Sequence, residues 1–548
     1  MGTASSRPAG PAFTGTASRS SVSSPRRGRA PQPQSSRRMD WSGLVARHAT
    51  AKPSDVAVRF DDESITWEQL DAQCDGLASW LAGHRVGRAD RVVLLLTNRP
   101  QFIVGVVAAH RVGAIAVPVN FRLSAAEIDF ILTDTSAAAV ITEDRLAGLL
   151  TGTYAPPPSV LVIDRETSWR TATSEIESVT YSTDDPAVIL YTSGTTGRPK
   201  GAVLSHLNLQ AQGLALIRTW RLVEETETTL LCLPLFHVGG FVIGSAMLLV
   251  GGAMIIAPSG AFEAARTLDT LERERVTSVF MVPTQWQAIV ETGLGERDLV
   301  LRVAAWGGGP MSASLLEDLN TLFRGAAVVA VFGQTEMTPV ASLPGKDAVG
   351  KLGSVGKPVD TVAIRVVDEA MNDVPRGQVG ELVYRGAALM LEYWERPEAT
   401  AEAFDGGWFH SGDLGYIDAE GFLYVVDRKK DMIISGGENI YSAEVESTLA
   451  AHPDIGEVAV IGRPDNYWGE VPVAVVVPRS PGCPTLDVDT LGGWLEGRLA
   501  RYKRPKVVHQ VDALPRNAGG KVLKHVLKAA FEPGAEPGAA PSKRVDER

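Results

Sequence analysis

The stretch Tyr191-Thr-Ser-Gly-Thr-Thr-Gly-Arg-Pro-Lys-Gly201 follows directly on Ala187-Val-Ile-Leu190, which reads as a buried strand. Small hydroxyl residues, glycines and one lysine leave that strand together. Glycine lets backbone amides turn toward a ligand, threonine and serine hydroxyls add donors, and Lys200 supplies a point charge. The pattern describes a phosphate cradle, although a solvated Gly/Thr turn has the same composition. It is not a Walker loop: no glycine precedes the lysine and no Ser or Thr follows it.

Working outward, the chain alternates apolar runs with helical periods. Thr66-Trp-Glu-Gln69 has the form of a capping box, with Leu70, Cys74, Leu77 and Leu81 following at helical spacing. Ser124 and Ser205 open two further helices. Arg91 to Leu96, Ala114 to Val119, Ala138 to Thr142, Leu230 to His237, Val276 to Val282, Val303 to Trp306 and Ala326 to Phe332 read as strands, and Phe262 to Arg275 reads as a helix. This β-α-β alternation predicts an α/β protein with mixed and largely parallel sheets. Several strands end in small or polar residues, where ligands of open α/β sheets bind. The uncharged run from Phe241 to Ala257 is split by Gly251-Gly252, so it reads as helix, turn and strand rather than a membrane span. Between Lys351 and Tyr424 short strands and Pro/Gly turns predict a β-rich subdomain. Residues 432–530 read as a small α+β unit. The expected organisation is a 1–38 extension, a large domain over 39–427, a small mobile domain over 428–530 and a loose tail over 531–548.

The 548 residues carry 45% hydrophobic and 21% charged side chains and a net charge of −11, which argues against a general nucleic-acid binder. Residues 1–38 hold seven arginines with no acid or lysine, a composition expected to be disordered, and Met39 resembles a true start. Removing those seven charges takes the formal charge from −11 to −18. The three cysteines, Cys74, Cys232 and Cys483, show no metal or disulfide spacing and suit a cytoplasmic setting.

Beyond the glycine loop stand, in order, Pro234-Leu-Phe-His237, Gly307-Gly-Gly-Pro310, Phe332-Gly-Gln-Thr-Glu336, Trp408-Phe-His-Ser-Gly-Asp413, Asp427-Arg428, Gly436-Gly-Glu-Asn439 and Pro515-Arg-Asn-Ala-Gly-Gly-Lys521. With this set the chain resembles the adenylate-forming superfamily over about residues 40–530. It looks most like actinobacterial fatty-acyl-CoA synthetases. The resemblance implies a two-step ligase: a carboxylate attacks MgATP to give acyl-AMP and pyrophosphate, and the thiol of CoA then displaces AMP.

The resemblance also implies roles for residues. Thr192, Ser193, Gly194, Thr195, Thr196, Gly197 and Lys200 would hold phosphates. Thr192 and Glu336 would ligate Mg2+, a hard cation suited to oxygen donors. Gly307, Gly308 and Gly309, with Phe332, Gly333, Gln334 and Thr335, would surround adenine. Asp413 and Arg428 would take the ribose. Lys521 would be the catalytic cation, His237 a gate, Lys430 the hinge, and Gly436 and Gly437 the CoA channel. Trp286, Trp306 and Met337 would line the acyl pocket. A medium- or long-chain fatty acid is the expected substrate, with an aryl acid or a carrier-protein thiol as alternatives. The basic run Arg501-Tyr-Lys-Arg-Pro-Lys506 suits CoA phosphates, anionic lipid at a membrane surface, or a solvated loop. A homodimer is one option for the oligomeric state.

Overall fold

The structure is a computed structural model and describes residues 40–152, 158–172, 176, 179, 182–192, 199–223, 227–309, 311–348, 350–435, 438–465, 467–480, 483, 485–516 and 521–531. The expected 1–38 extension, most of the 531–548 tail, Ser193, Gly194, Thr195, Thr196, Gly197, Gly436 and Gly437 lie outside them.

Helix starts follow the local chemistry. Thr66 and Ser124 both form reciprocal capping boxes, at the helices Trp67–Gly83 and Ala125–Asp134. Ser205 does the same with Asn208 for His206–Trp220. Each cap satisfies amide donors that the first helical turn leaves open. The uncharged run becomes the helix Val238–Val250, a left-handed cap at Gly251 and the strand Ala253–Ile256. Among the described residues no helix is long and apolar enough to cross a membrane.

The described strands form three sheets. In one, Pro186–Thr192, Ile115–Pro118, Arg91–Leu95, Ala139–Thr142 and Ser159–Val162 run parallel. Lys200–Ser205 and then Glu392–Tyr393 add antiparallel to its edge. A larger sheet has a parallel centre: Val56–Phe60, Ala253–Ile256, Thr228–Leu231, Ser278–Met281, Val303–Gly307 and Ala327–Gln334. Antiparallel strands from Met337–Leu343 to Leu423–Arg428 and Phe409–Ile417 continue it. These include the β-rich stretch expected after Lys351. The third sheet contains Ile433–Ser435, Glu438–Ile440, Ile455–Asp465, Gly469–Pro478 and Val507–Gln510. The α/β class with mixed sheets and a smaller C-terminal unit is therefore observed.

One boundary departs from the sequence reading. The strand expected over Leu230 to His237 ends at Leu231, and the rest is a loop that delivers His237 to the start of Val238–Val250. Pro234 has no amide hydrogen and cannot extend a parallel ladder.

Candidate active site

Thr192 and Lys200 are registered partners at the mouth of the Pro186–Thr192/Lys200–Ser205 hairpin. The Thr192 hydroxyl donates to the Lys200 carbonyl at 3.3 Å. The Lys200 ammonium lies 5.1 Å from the centre of the Tyr393 ring, a cation–π distance. Tyr393 in turn donates its hydroxyl to Glu336 Oε1 at 2.8 Å. Glu336 sits with Thr335 in the tight turn between Gln334 and Met337, which pair across the hairpin. The phosphate hairpin and the candidate metal carboxylate thus meet through Tyr393, a residue the sequence reading missed.

Val303–Gly307 and Ala327–Gln334 lie side by side and parallel, pairing Gly307 with Val331. A Cβ on Gly307 would stand 2.3 Å from the Val331 carbonyl oxygen, so only glycine allows this approach. Gly308 has a φ of +77° and, with Gly309, turns the chain away from the sheet. Phe332 is half-buried and Gly333 exposed at the same strand end. Trp306 Nε1 and Gln334 Nε2 are buried without a hydrogen-bond partner.

Asp413 and Arg428 are opposite each other on the antiparallel strands Phe409–Ile417 and Leu423–Arg428. Arg428 Nε reaches Asp413 Oδ1 at 2.5 Å. Asp413 is 2% exposed, and its other oxygen, Oδ2, is buried with no partner. Burial raises its pKa, against the pull of Arg428 and then Lys521. The Ser411 hydroxyl fixes the turn by donating to the Leu382 carbonyl at 2.6 Å and accepting the Asp413 amide at 3.0 Å.

The C-terminal residues complete the cluster. Lys521 is close enough to Asp413, Arg428, Lys430 and Asp431 for all four charges to act on it. Burial, then Arg428, push its pKa down to about 8, while Asp413 opposes them. Lys430 is also lowered, by burial first. Asp427 Oδ2 accepts the Ser442 hydroxyl at 2.8 Å and the Ala443 amide at 3.4 Å at the start of the helix Ser442–Ala450. Lys524 donates to Ser442 Oγ at 2.6 Å and pairs with Glu446 at 2.8 Å. These contacts tie the end of the large sheet to the segment carrying Lys521.

Two of the three residues expected to line the acyl pocket, Trp286 and Met337, are buried in the core. Trp286 has no exposed surface: its indole N–H donates to the Ala305 carbonyl at 2.9 Å and its ring meets Phe323 edge-on. Met337 is likewise fully buried, packed on the main core. Both pack within the core clusters. Trp306 keeps 9% exposure next to Gly307. His237 is exposed and caps Val238–Val250, its Nδ1 accepting the Gly239 amide at 3.3 Å. The adjacent Phe236 meets Phe121 edge-to-face at 5.6 Å.

Residues 45–394 match the model of the AMP-binding enzyme family, and residues 444–521 match that of the AMP-binding enzyme C-terminal domain. The chain belongs to the AMP-binding enzyme family. It is an AMP-forming acid–thiol ligase. Within this family it is similar to a feruloyl-CoA synthase of Amycolatopsis, 39% identical over 88% of this chain and 98% of that protein. It is also similar to a long-chain-fatty-acid–CoA ligase of Mycobacterium tuberculosis, 37% identical over 86% of this chain and 94% of that one. Among solved structures it resembles o-succinylbenzoate coenzyme A synthetase of Bacillus subtilis in complex with ATP and magnesium. The identity there is 32% and the TM-score 0.81, over 88% of this chain and 99% of the other.

The family's magnesium is compatible with the residues present. Mg2+ is usually held by one or two carboxylates together with substrate phosphates and water. Glu336 has one oxygen engaged by Tyr393 and a second, hard oxygen to offer, beside the hairpin that carries Thr192.

Proposed function

We propose that the protein joins an apolar carboxylic acid to CoA through an acyl-adenylate. The observation that carries this reading is the convergence of Lys521 on the Asp413–Arg428 pair, with the buried Asp413 Oδ2 lacking a partner. A nucleotide ribose offers hydroxyl donors to that oxygen, and Arg428 balances the aspartate charge. Thr192, the 193–197 loop and Lys200 hold the β- and γ-phosphates that leave as pyrophosphate. Glu336 and Thr192 would hold Mg2+, which would supply charge neutralisation on the phosphate oxygens.

The carboxylate oxygen forms a bond to the α-phosphorus, and the bond from that phosphorus to the β-phosphate bridging oxygen breaks. Lys521 donates to the incoming carboxylate and the α-phosphate, where negative charge gathers. In the second step the CoA sulfur bonds to the acyl carbon, AMP leaves and the thiol proton is released. A lysine placed for the first step obstructs the second. Residues 428–530 therefore rotate about Lys430, withdrawing Lys521 and bringing Gly436 and Gly437 to the pantetheine arm. His237 shapes the acid entrance as a gate.

A medium- or long-chain fatty acid was the sequence expectation for the acid. A compact aryl acid is the reading that the similarity to aryl-acid ligases favours. The more similar of the two relatives named above is a feruloyl-CoA synthase. The test is AMP and acyl-CoA formation across aryl, medium-chain and long-chain acids with CoA and Mg2+. Turnover of aryl acids well above C12–C18 acids supports the aryl reading, and the reverse order restores the fatty-acid reading. Adenylate formation with no transfer to CoA would point instead to a carrier-protein thiol.

A further inference from the structure

The segment from Met390 to Arg396 straps the candidate metal carboxylate to the phosphate hairpin. At one end the Met390 amide donates to the Glu336 carbonyl at 2.8 Å. Next, Leu391 and Trp394 donate to the carbonyls of Val203 and Gly201, so Glu392–Tyr393 forms a short antiparallel edge on Lys200–Ser205. Side chains alternate along an extended strand. Tyr393 accordingly turns toward Glu336 and Lys200, while Trp394 turns the other way.

The far side of the strap is anchored on Asp134. Its backbone carbonyl accepts the Trp394 indole N–H at 3.1 Å. Its carboxylate takes Arg396 at 2.5 Å and the Tyr191 hydroxyl at 2.6 Å. Tyr191 immediately precedes Thr192. One half-buried carboxylate therefore fixes both the strap and the strand that leads into the phosphate loop.

This arrangement brings the Tyr393 side chain to both Glu336 and Lys200. Its hydroxyl donates to Glu336 Oε1, and its ring lies under the Lys200 ammonium. A glutamate in a two-residue turn has several rotamers, and ordering it for a metal costs conformational entropy. A hydroxyl bonded to one oxygen selects the rotamer in advance and leaves the second oxygen to ligate. Outer partners of metal ligands act in this manner.

We propose that Tyr393 is a positioning residue: it holds the Glu336 carboxylate for Mg2+ and supports Lys200 against the nucleotide phosphates. The proposal rests on the reading of Glu336 as a magnesium ligand. Its effect on the metal passes through Glu336 and its effect on the phosphates through Lys200.

The test uses the full-length enzyme with ATP and Mn2+ as a spectroscopic stand-in for Mg2+, comparing wild type, Tyr393→Phe and Glu336→Gln. The phenylalanine keeps the ring under Lys200 and removes only the hydroxyl. Electron paramagnetic resonance gives Mn2+ affinity, thermal melting reports the fold, and pyrophosphate release gives the Mg2+ concentration for half-maximal adenylation. Tyr393→Phe is expected to weaken Mn2+ binding by about 10- to 100-fold. The Mg2+ requirement should rise in proportion, with the KM for the acid unchanged and melting close to wild type. A merely structural tyrosine would shift melting and leave metal affinity alone. Wild-type Mn2+ affinity in Tyr393→Phe, with Glu336→Gln weakened, overturns the role of Tyr393. Unchanged affinity in Glu336→Gln overturns the metal reading itself and the proposal with it.

Discussion

Raising the pH above 8 should switch off the first half-reaction through Lys521. The perturbation is the loss of one proton from a buried ammonium. Burial and the neighbouring Arg428 take this lysine from the ordinary 10.5 down to about 8. In the free enzyme about nine-tenths of it is then charged at pH 7 and about one-tenth at pH 9. The kcat/KM for ATP in pyrophosphate release reports ionisations of the free enzyme, so it should fall nearly tenfold over that interval. The thioester half-reaction, started from synthetic acyl-adenylate and CoA, does not use Lys521 and should not fall with it. Lys521→Ala should lack the alkaline limb, on a rate already about 10²–10³ lower. Stability should move the opposite way. The folded pKa lies below the unfolded one, so between about 8 and 10.5 the unfolded chain binds more protons and stability rises with pH. Below pH 8 the buried charge costs about 3 kcal/mol. A kcat/KM for ATP that stays flat from pH 7 to 9.5 would refute the role given to Lys521.

Other perturbations follow from the same geometry. Asp413→Asn leaves Arg428 without its ion-pair partner, and should weaken ATP binding and lower unfolding stability by about 3 kcal/mol in denaturant titration. Gly307→Ala places a methyl 2.3 Å from the Val331 carbonyl, and should cost about 2–3 kcal/mol and raise the KM for ATP as the strands part. Trp286→Phe removes the hydrogen bond to Ala305 and some core volume. It should lower stability by about 2 kcal/mol while the relative kcat/KM values for a panel of acids stay as in wild type.

Much of this was legible in the sequence because the signals are local. Thr66, Ser124 and Ser205 each announce a helix start through a partner three residues on, and the structure forms all three caps. Gly251 marks the turn that divides the uncharged run into a helix and a strand. The family was also legible, because its motifs occur in a fixed order and each has a physical job. What stayed hidden depends on long-range packing. Trp286 and Met337 are apolar residues near strand ends, and nothing in a one-dimensional pattern tells a core side chain from a pocket wall. His237 follows an apolar run that looks like a strand, yet the ladder stops six residues earlier, at Leu231. Tyr393 lies in a two-residue strand and contacts Glu336, 57 positions before it. No spacing rule joins them, although the aromatic pair Tyr393-Trp394 between Glu392 and Glu395 was the available hint.

The most direct measurement is a single-turnover reaction of enzyme, ATP, Mg2+ and an aryl acid, followed by mass spectrometry before and after CoA is added. The expected result is an acyl-adenylate with one equivalent of pyrophosphate, replaced on addition of CoA by acyl-CoA and AMP, and strongly reduced in Lys521→Ala. Formation of ADP and phosphate, or of AMP with no acyl-adenylate at any time, would contradict it.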